Sequence, residues 1–228
     1  MDFTDQDLSG ARFVRCDLSD AVVRGSWVVG LQVDTHDLTD GPIWVNGVDV
    51  TPYVEQQLNA QLPGRELKHA QTPEGLREAW AAVEEAWADV VPTAVGKEQI
   101  SVEGEWTFEQ TLRHLVLATN AWLHGAILQQ EQPFHWIGIP FAEYATEGGD
   151  MTIFREPDSY EQVLQVRAEH QAIVRDYLAT VDADTLAETR PNPWASEHQE
   201  PVLACLHVIL NEEWEHLRYA VRDLATIT

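Results

Sequence analysis

CLHVILNEEWEHLRYAVRDL, residues 205–224, decides how the chain is read. On a helix turning ~100° per residue, with His216 as origin, Cys205, Ile209, Glu212 and Ala220 fall on the same side. Leu206, Leu217 and Leu224 lie beside them, then Leu203 and Leu210, and Glu213 borders the stripe. The opposite side holds His207, Asn211, Trp214, Glu215, Arg218 and Arg222. The charge run therefore splits in two. Glu215, Arg218 and Arg222 are expected on a solvated face, with Glu215 and Arg218 paired at i,i+3. Glu212 and His216 share the apolar stripe, one turn apart. A carboxylate and an imidazole turned toward a core need partners, because unpaired burial of polar groups costs several kcal/mol. A mutual hydrogen bond would supply them, and so would a metal ion.

Three more segments carry helical periodicity. The first opens at Thr72-Pro73, a cap followed by proline at the first helical position. It presents Leu76, Ala79, Trp80, Val83, Trp87 and Val90 at core-face spacing. The second opens at Thr107 with Gln110 and runs to residue 130, and the third opens at Ser159 with Gln162 and runs to residue 180. Both show the capping-box pattern. With the segment from Pro201 to Leu224 these make a mainly α chain, read as a four-helix bundle. The link between the second and third helices, residues 131–158, is long enough to run the length of the bundle, so those two helices are expected to be parallel. It carries Phe134, Trp136, Phe141 and Tyr144.

The second helix offers a third polar group for the interior. His114 shares a face with Leu117, Ala118, Ala121 and Leu128, and Ala118 leaves room beside its ring. Two histidines and one carboxylate converging from two helices make a three-ligand site with open positions, as catalytic zinc and mononuclear non-haem iron use. Spacing does not choose between these metals. His170 is a further inward candidate. His124 and His207 point away from the stripes of their helices, and His36, His69, His135 and His198 lie in connectors. Glu213-x-x-His216 matches half of a di-iron motif, but the second and third helices contain no ExxH. No nucleophile elbow, phosphate loop or dinucleotide fingerprint is visible.

The first 40 residues keep a different beat. Phe3, Leu8, Phe13, Leu18, Val23, Val28, Val33 and Leu38 recur every five residues. Five is neither the helical nor the strand period, and a fixed short repeat predicts a solenoid. Ala11, Cys16, Ala21 and Ser26 form a small-residue column, so Cys16 is expected to be a buried filler. The domain reading is a coil over 1–40, a connector without chemistry over 41–71 that holds a short helix from Pro52 to about Gln61, and the bundle over 72–228.

Composition narrows the function classes. The formal net charge of −24 repels phosphate backbones and excludes nucleic acid as an expected partner. No apolar run approaches the roughly 18 residues needed to span a bilayer, and the acidic start MDFTDQDLSG is no secretory signal. A cytoplasmic protein without membrane association is expected. Two distant cysteines make neither a disulfide scaffold nor a thiolate zinc site.

EWTFEQTLRHLVLATNAWL (105–123) and CLHVILNEEWEHLRYAVRDL (205–224) resemble the DinB/YfiT-like metalloenzyme superfamily. The closer likeness is to its mycothiol-dependent branch, which includes maleylpyruvate isomerase. It spans roughly residues 72–224. DLSGARFVRCDLSDAVVRG, within residues 7–25, resembles pentapeptide-repeat proteins, which implies a short N-terminal β-coil. The superfamily resemblance implies a bundle of up-down-down-up order. It also implies a divalent metal, zinc or nickel with iron as the alternative, on His114, Glu212 and His216. Many relatives carry His-x-x-x-His on the last helix; Glu212 in first place follows the isomerase branch. The implied activity is a metal-dependent thiol S-transferase or thiol-dependent isomerase, in which a mycothiol-like low-molecular-weight thiol attacks a small electrophile. The expected partners are that thiol and electrophile, with a homodimer as the assembly option. The alternatives are metal-assisted hydrolysis by bound water, and a non-enzymatic acidic interaction protein with a structural metal.

Overall fold

Side-chain caps set the helix starts in the computed structural model, which describes residues 2–35, 38, 41–146 and 148–227. Thr72 Oγ1 accepts the Gly75 N–H at 3.1 Å. Thr107 and Gln110 close both halves of a capping box. Ser159 Oγ accepts the Gln162 N–H at 3.3 Å, while the Gln162 side chain reaches the Asp158 N–H at 3.0 Å. Each cap supplies acceptors to N–H groups that lack an intrahelical partner.

The chain is mainly helical and divides into two compact units, Met1–Thr35 and His36–Thr228. In chain order the second unit contains α1 (Thr51–Gln61), α2 (Pro73–Val90), α3 (Phe108–Thr119), α4 (Tyr160–Thr180), α5 (Ala183–Ala187) and α6 (Val202–Thr226). Two small antiparallel hairpins join them, β1 (Trp44–Val45) with β2 (Val48–Asp49), and β3 (Thr189–Pro191) with β4 (Gln199–Pro201). α2 and α3 each pack against both α4 and α6. Leu76, Trp80, Val83, Leu112, Leu115 and Ile209 are buried between them, and the Trp80 indole N–H reaches the Gln171 carbonyl at 3.2 Å. Among the described residues no helix is long and apolar enough to cross a membrane.

One expectation is corrected on α6. Residues 41–71 carry the expected short helix as α1, and the 3-10 turn Arg65–His69 that follows it packs on α2 and α6. Gly64 makes this approach possible. Its φ is +92°, and a Cβ there would meet the Ala82 methyl at 2.8 Å with the Trp214 ring just beyond. In consequence part of the α6 side read as solvated is covered, while Arg218 and Arg222 stay partly exposed. Trp214 is fully buried and Glu215 is buried too. Glu215 does pair with Arg218 at 2.9 Å, as expected, but it also meets the buried Arg65 guanidinium at 3.0 Å and lies near the Lys68 ammonium. Arg65 is held from α1 as well, by Glu55 at 2.6 Å and Asn59 at 2.8 Å.

α3 does not run as α-helix to residue 130. After Thr119 it widens into a π-helix, Asn120–Ile127, continued by the Leu128 N–H reaching five residues back to the Leu123 carbonyl at 2.8 Å. The link beyond it carries a cluster of rings, in which Tyr144 and Trp194 meet each other and both Phe134 and Phe141.

In the first unit the five-residue beat recurs in the backbone. Asp5, Gly10, Arg15, Asp20, Gly25 and Gly30 all have positive φ. Ala11, Ala21 and Leu31 each donate to the carbonyl three residues back. Residues 2–35 contain no strand, however, and the expected internal column is exposed from Phe3 to Val33. Cys16 is exposed rather than a buried filler. The rest of the 1–40 reading, at Met1, His36, Asp37, Thr39 and Asp40, lies outside the described residues, as do Glu147 and Thr228.

Candidate metal centre

His114 projects from the middle of α3, and Glu212 and His216 from α6, where i,i+4 spacing stacks them one turn apart. α3 and α6 pack together, which brings the three side chains to one point. His114 Nε2 lies 3.4 Å from Glu212 Oε2, and His216 Nε2 lies 3.2 Å from the same oxygen. One ligand atom from each of the three lies within 4.8 Å of the others. The imidazoles are mostly enclosed, while the Glu212 side chain is 33% exposed, so the centre opens at the carboxylate.

The outer nitrogen of His114 fixes the chemistry of the inner one. Nδ1 lies 3.2 Å from the Ile139 carbonyl. A carbonyl oxygen only accepts, so Nδ1 carries the hydrogen, and in the neutral ring the Nε2 lone pair faces Glu212. A lone pair and a carboxylate facing each other repel unless a proton or a cation lies between them. The donor set, two imidazole nitrogens and one carboxylate, is that of a divalent transition metal. Burial alone would push the Glu212 carboxyl up, but with a proton in the position between them, hydrogen bonds and charge from His114 and His216 outweigh it and hold it well below the usual carboxylate range. The group is therefore ionised, as a metal ligand must be.

The aromatic wall of the centre was not legible in the sequence. The Trp106 ring lies 4.5 Å from that of His114 and 5.9 Å from that of His216, and Tyr219 flanks His216 at 6.1 Å. Arg218 and Arg222 sit over the Tyr219 ring.

The remaining candidates lie elsewhere. Glu213 is buried away from the triad, where it meets the Arg167 guanidinium of α4. Burial raises its pKa and Arg167 only partly offsets the effect. His170 faces the interior but joins a second cluster. Its Nδ1 reaches the Val166 carbonyl at 2.8 Å and its Nε2 the Asn120 amide nitrogen at 2.8 Å. The same amide nitrogen lies 3.0 Å from His124 Nδ1. His124, expected to point away from the stripe of its helix, meets Asn120 one turn earlier, as i,i+4 neighbours do. His135, expected to be an unremarkable connector residue, donates its backbone N–H to Asn120 Oδ1 at 2.8 Å. His207 reaches the Ala70 carbonyl at 2.8 Å. Cys205 is buried, and burial pushes its thiol up to about 11.

Residues 68–220, more than half of the chain, match the family model described as DinB superfamily. No curated protein and no solved structure matches the chain.

Proposed function

Because the chain belongs to the DinB superfamily, we propose that His114, Glu212 and His216 hold a divalent metal ion, zinc or nickel before iron, in a thiol S-transferase or thiol-dependent isomerase. The observation that carries the metal reading is the convergence of three acceptor atoms with the His114 hydrogen committed outward to Ile139. When bound, such an ion lowers the pKa of a coordinated thiol or water and yields a nucleophile near neutral pH. The chain's own residues supply the frame. His114 is oriented by the Ile139 carbonyl, Trp106 shields one side of both imidazoles from water, and the exposed edge of Glu212 marks where a small molecule enters.

A small-molecule thiol is favoured over the Cys205 thiol of α6. Cys205 is buried, with a pKa of about 11, so little thiolate forms at neutral pH. Glu212 in the first place of Glu-x-x-x-His supports the mycothiol-dependent branch, with a mycothiol-like co-substrate attacking a small electrophile. The mutual packing of α2, α3, α4 and α6 supports the four-helix bundle, and the left-handed beat at every fifth residue supports a pentapeptide-like coil at the N-terminus.

The experiment is metal analysis of the purified chain, followed by conjugation of a low-molecular-weight thiol to a small aryl halide. Zinc or nickel near one equivalent, with turnover that needs added thiol and disappears in a folded His114→Ala variant, is the expected result. An unchanged rate in that variant removes the metal from the mechanism. Ester or amide turnover without added thiol favours the hydrolase. Negligible bound metal, with no stabilisation by added zinc or nickel, favours the interaction protein.

A further inference from the structure

We propose that residues 133–139 form a splint that sets the orientation and tautomer of His114, with Arg113 and Asn120 as its positioning residues. The inference builds on the metal reading of His114.

One end of the splint is gripped by Arg113, the residue before His114. Its Nε donates to the Ile137 carbonyl at 2.9 Å and its Nη2 to the Arg155 carbonyl at 3.1 Å, while Nη1 pairs with Glu156. The guanidinium is almost wholly buried. Its backbone carbonyl receives the Ile139 N–H, and the Arg155 N–H donates to the Trp136 carbonyl at 2.8 Å. One side chain thus ties together both passes of the link, 136–139 and 155–156.

The other end is held by Asn120, two helical turns further on. Its Oδ1 takes the His135 N–H, and its two amide hydrogens go to His124 and His170. His124 in turn bonds the backbone of Pro133, which has only a carbonyl to offer. Every polar atom of the Asn120 side chain is engaged, so the amide cannot turn over without losing partners.

The distance between the two grips leaves little slack. Arg113 and Asn120 are seven residues apart, roughly 10 Å along a helix at ~1.5 Å per residue. Residues 135–139 return along that length in four steps, which reach ~14 Å at most when fully extended. They are not fully extended, because the Gly138 N–H closes a turn onto the His135 carbonyl at 3.1 Å. Gly138 is also wedged, since a Cβ there would sit 3.3 Å from the His135 carbonyl, 3.3 Å from the Leu117 Cβ and 3.4 Å from the Phe154 ring. The Ile139 carbonyl follows directly and meets His114 Nδ1. Partners that lie behind a ligating histidine fix which nitrogen faces the metal, and here that partner is a backbone atom whose position Arg113 and Asn120 determine.

The test uses the full chain and two readouts, zinc affinity by competition calorimetry and the His114 tautomer by long-range proton–nitrogen correlation above about pH 8, without metal. In the parent chain His114 is expected as one tautomer, hydrogen on Nδ1. Arg113→Met should give a mixture of tautomers and bind zinc at least tenfold more weakly while keeping its circular dichroism. A folded Arg113→Met with the parental tautomer and an affinity within twofold overturns the splint. If Arg113→Met does not fold, Gly138→Val displaces the same carbonyl and is judged by the same readouts. Because the tautomer is read without metal, a parent chain that binds no zinc overturns the metal reading alone and leaves the splint to be decided by the tautomer.

Discussion

Lowering the pH from about 7 to about 5 should destabilise the second unit through His170. Burial, with smaller contributions from His124, His135 and Arg167, holds His170 down at about 4, against its ordinary 6.5. The folded chain therefore keeps His170 neutral while the unfolded chain protonates it. Below 6.5 the unfolded state binds more protons, so stability present at neutral pH is lost as the pH falls toward 4. At ~1.4 kcal/mol per unit the full loss is about 3 kcal/mol, of which about 2 kcal/mol is gone by pH 5. The geometry gives the cause. His170 Nδ1 already donates to Val166, so a second hydrogen must go on Nε2, against the N–H of Asn120. Turning the amide over would only move the clash to the His135 N–H. Burial depresses His124 and His135 in the same direction, so they add to the loss. The measurement is urea unfolding followed by far-ultraviolet circular dichroism at the two pH values, for the parent chain and for His170→Gln. The parent should lose about 2 kcal/mol more than the variant on acidification. Equal losses would refute the assignment of the acid response to His170.

Three further outcomes are expected. Glu215→Ala leaves the Arg65 and Lys68 charges buried with less compensation, which should cost about 3–5 kcal/mol in chemical denaturation. Thr107→Ala removes the capping box of α3 and should cost about 1 kcal/mol by the same measurement, with zinc stoichiometry unchanged. Zinc added to the metal-free chain at a hundred times its Kd should stabilise it by about 2.7 kcal/mol, seen as a rise in Tm that a chelator reverses and that Glu212→Ala abolishes.

The parts legible in the sequence are those that a single helix specifies by itself. Thr72, Thr107 and Ser159 mark helix starts because capping is local chemistry. Glu212, His216 and His114 stood out because each breaks an apolar stripe, and a polar residue on a core face must meet something. What was missed depends on a second surface. A helical wheel divides α6 into an inside and an outside, but α6 has neighbours on both sides, and the Arg65–His69 turn that covers Glu215 has no apolar period of its own. The Arg167–Glu213 pair is invisible for the same reason, because neither residue signals burial until the other is opposite. His124 lies at the edge of the α3 stripe, about 20° from Leu117 on an ideal helix, so its inward partners belong with the stripe and not away from it. Ile139 contributes a carbonyl, which any residue at that position would provide.

The two cysteines differ in access in a way that makes the chain its own reporter. Cys16 is exposed, whereas Cys205 is enclosed in the core of the second unit beside Leu206 and Ile209. A thiol-specific dye should therefore label the native chain once. The second equivalent should react only as α6 leaves its neighbours, so the stoichiometry of labelling counts unfolding events without any engineered probe. A single maleimide label would fall in the first unit and leave the histidine–glutamate centre chemically untouched.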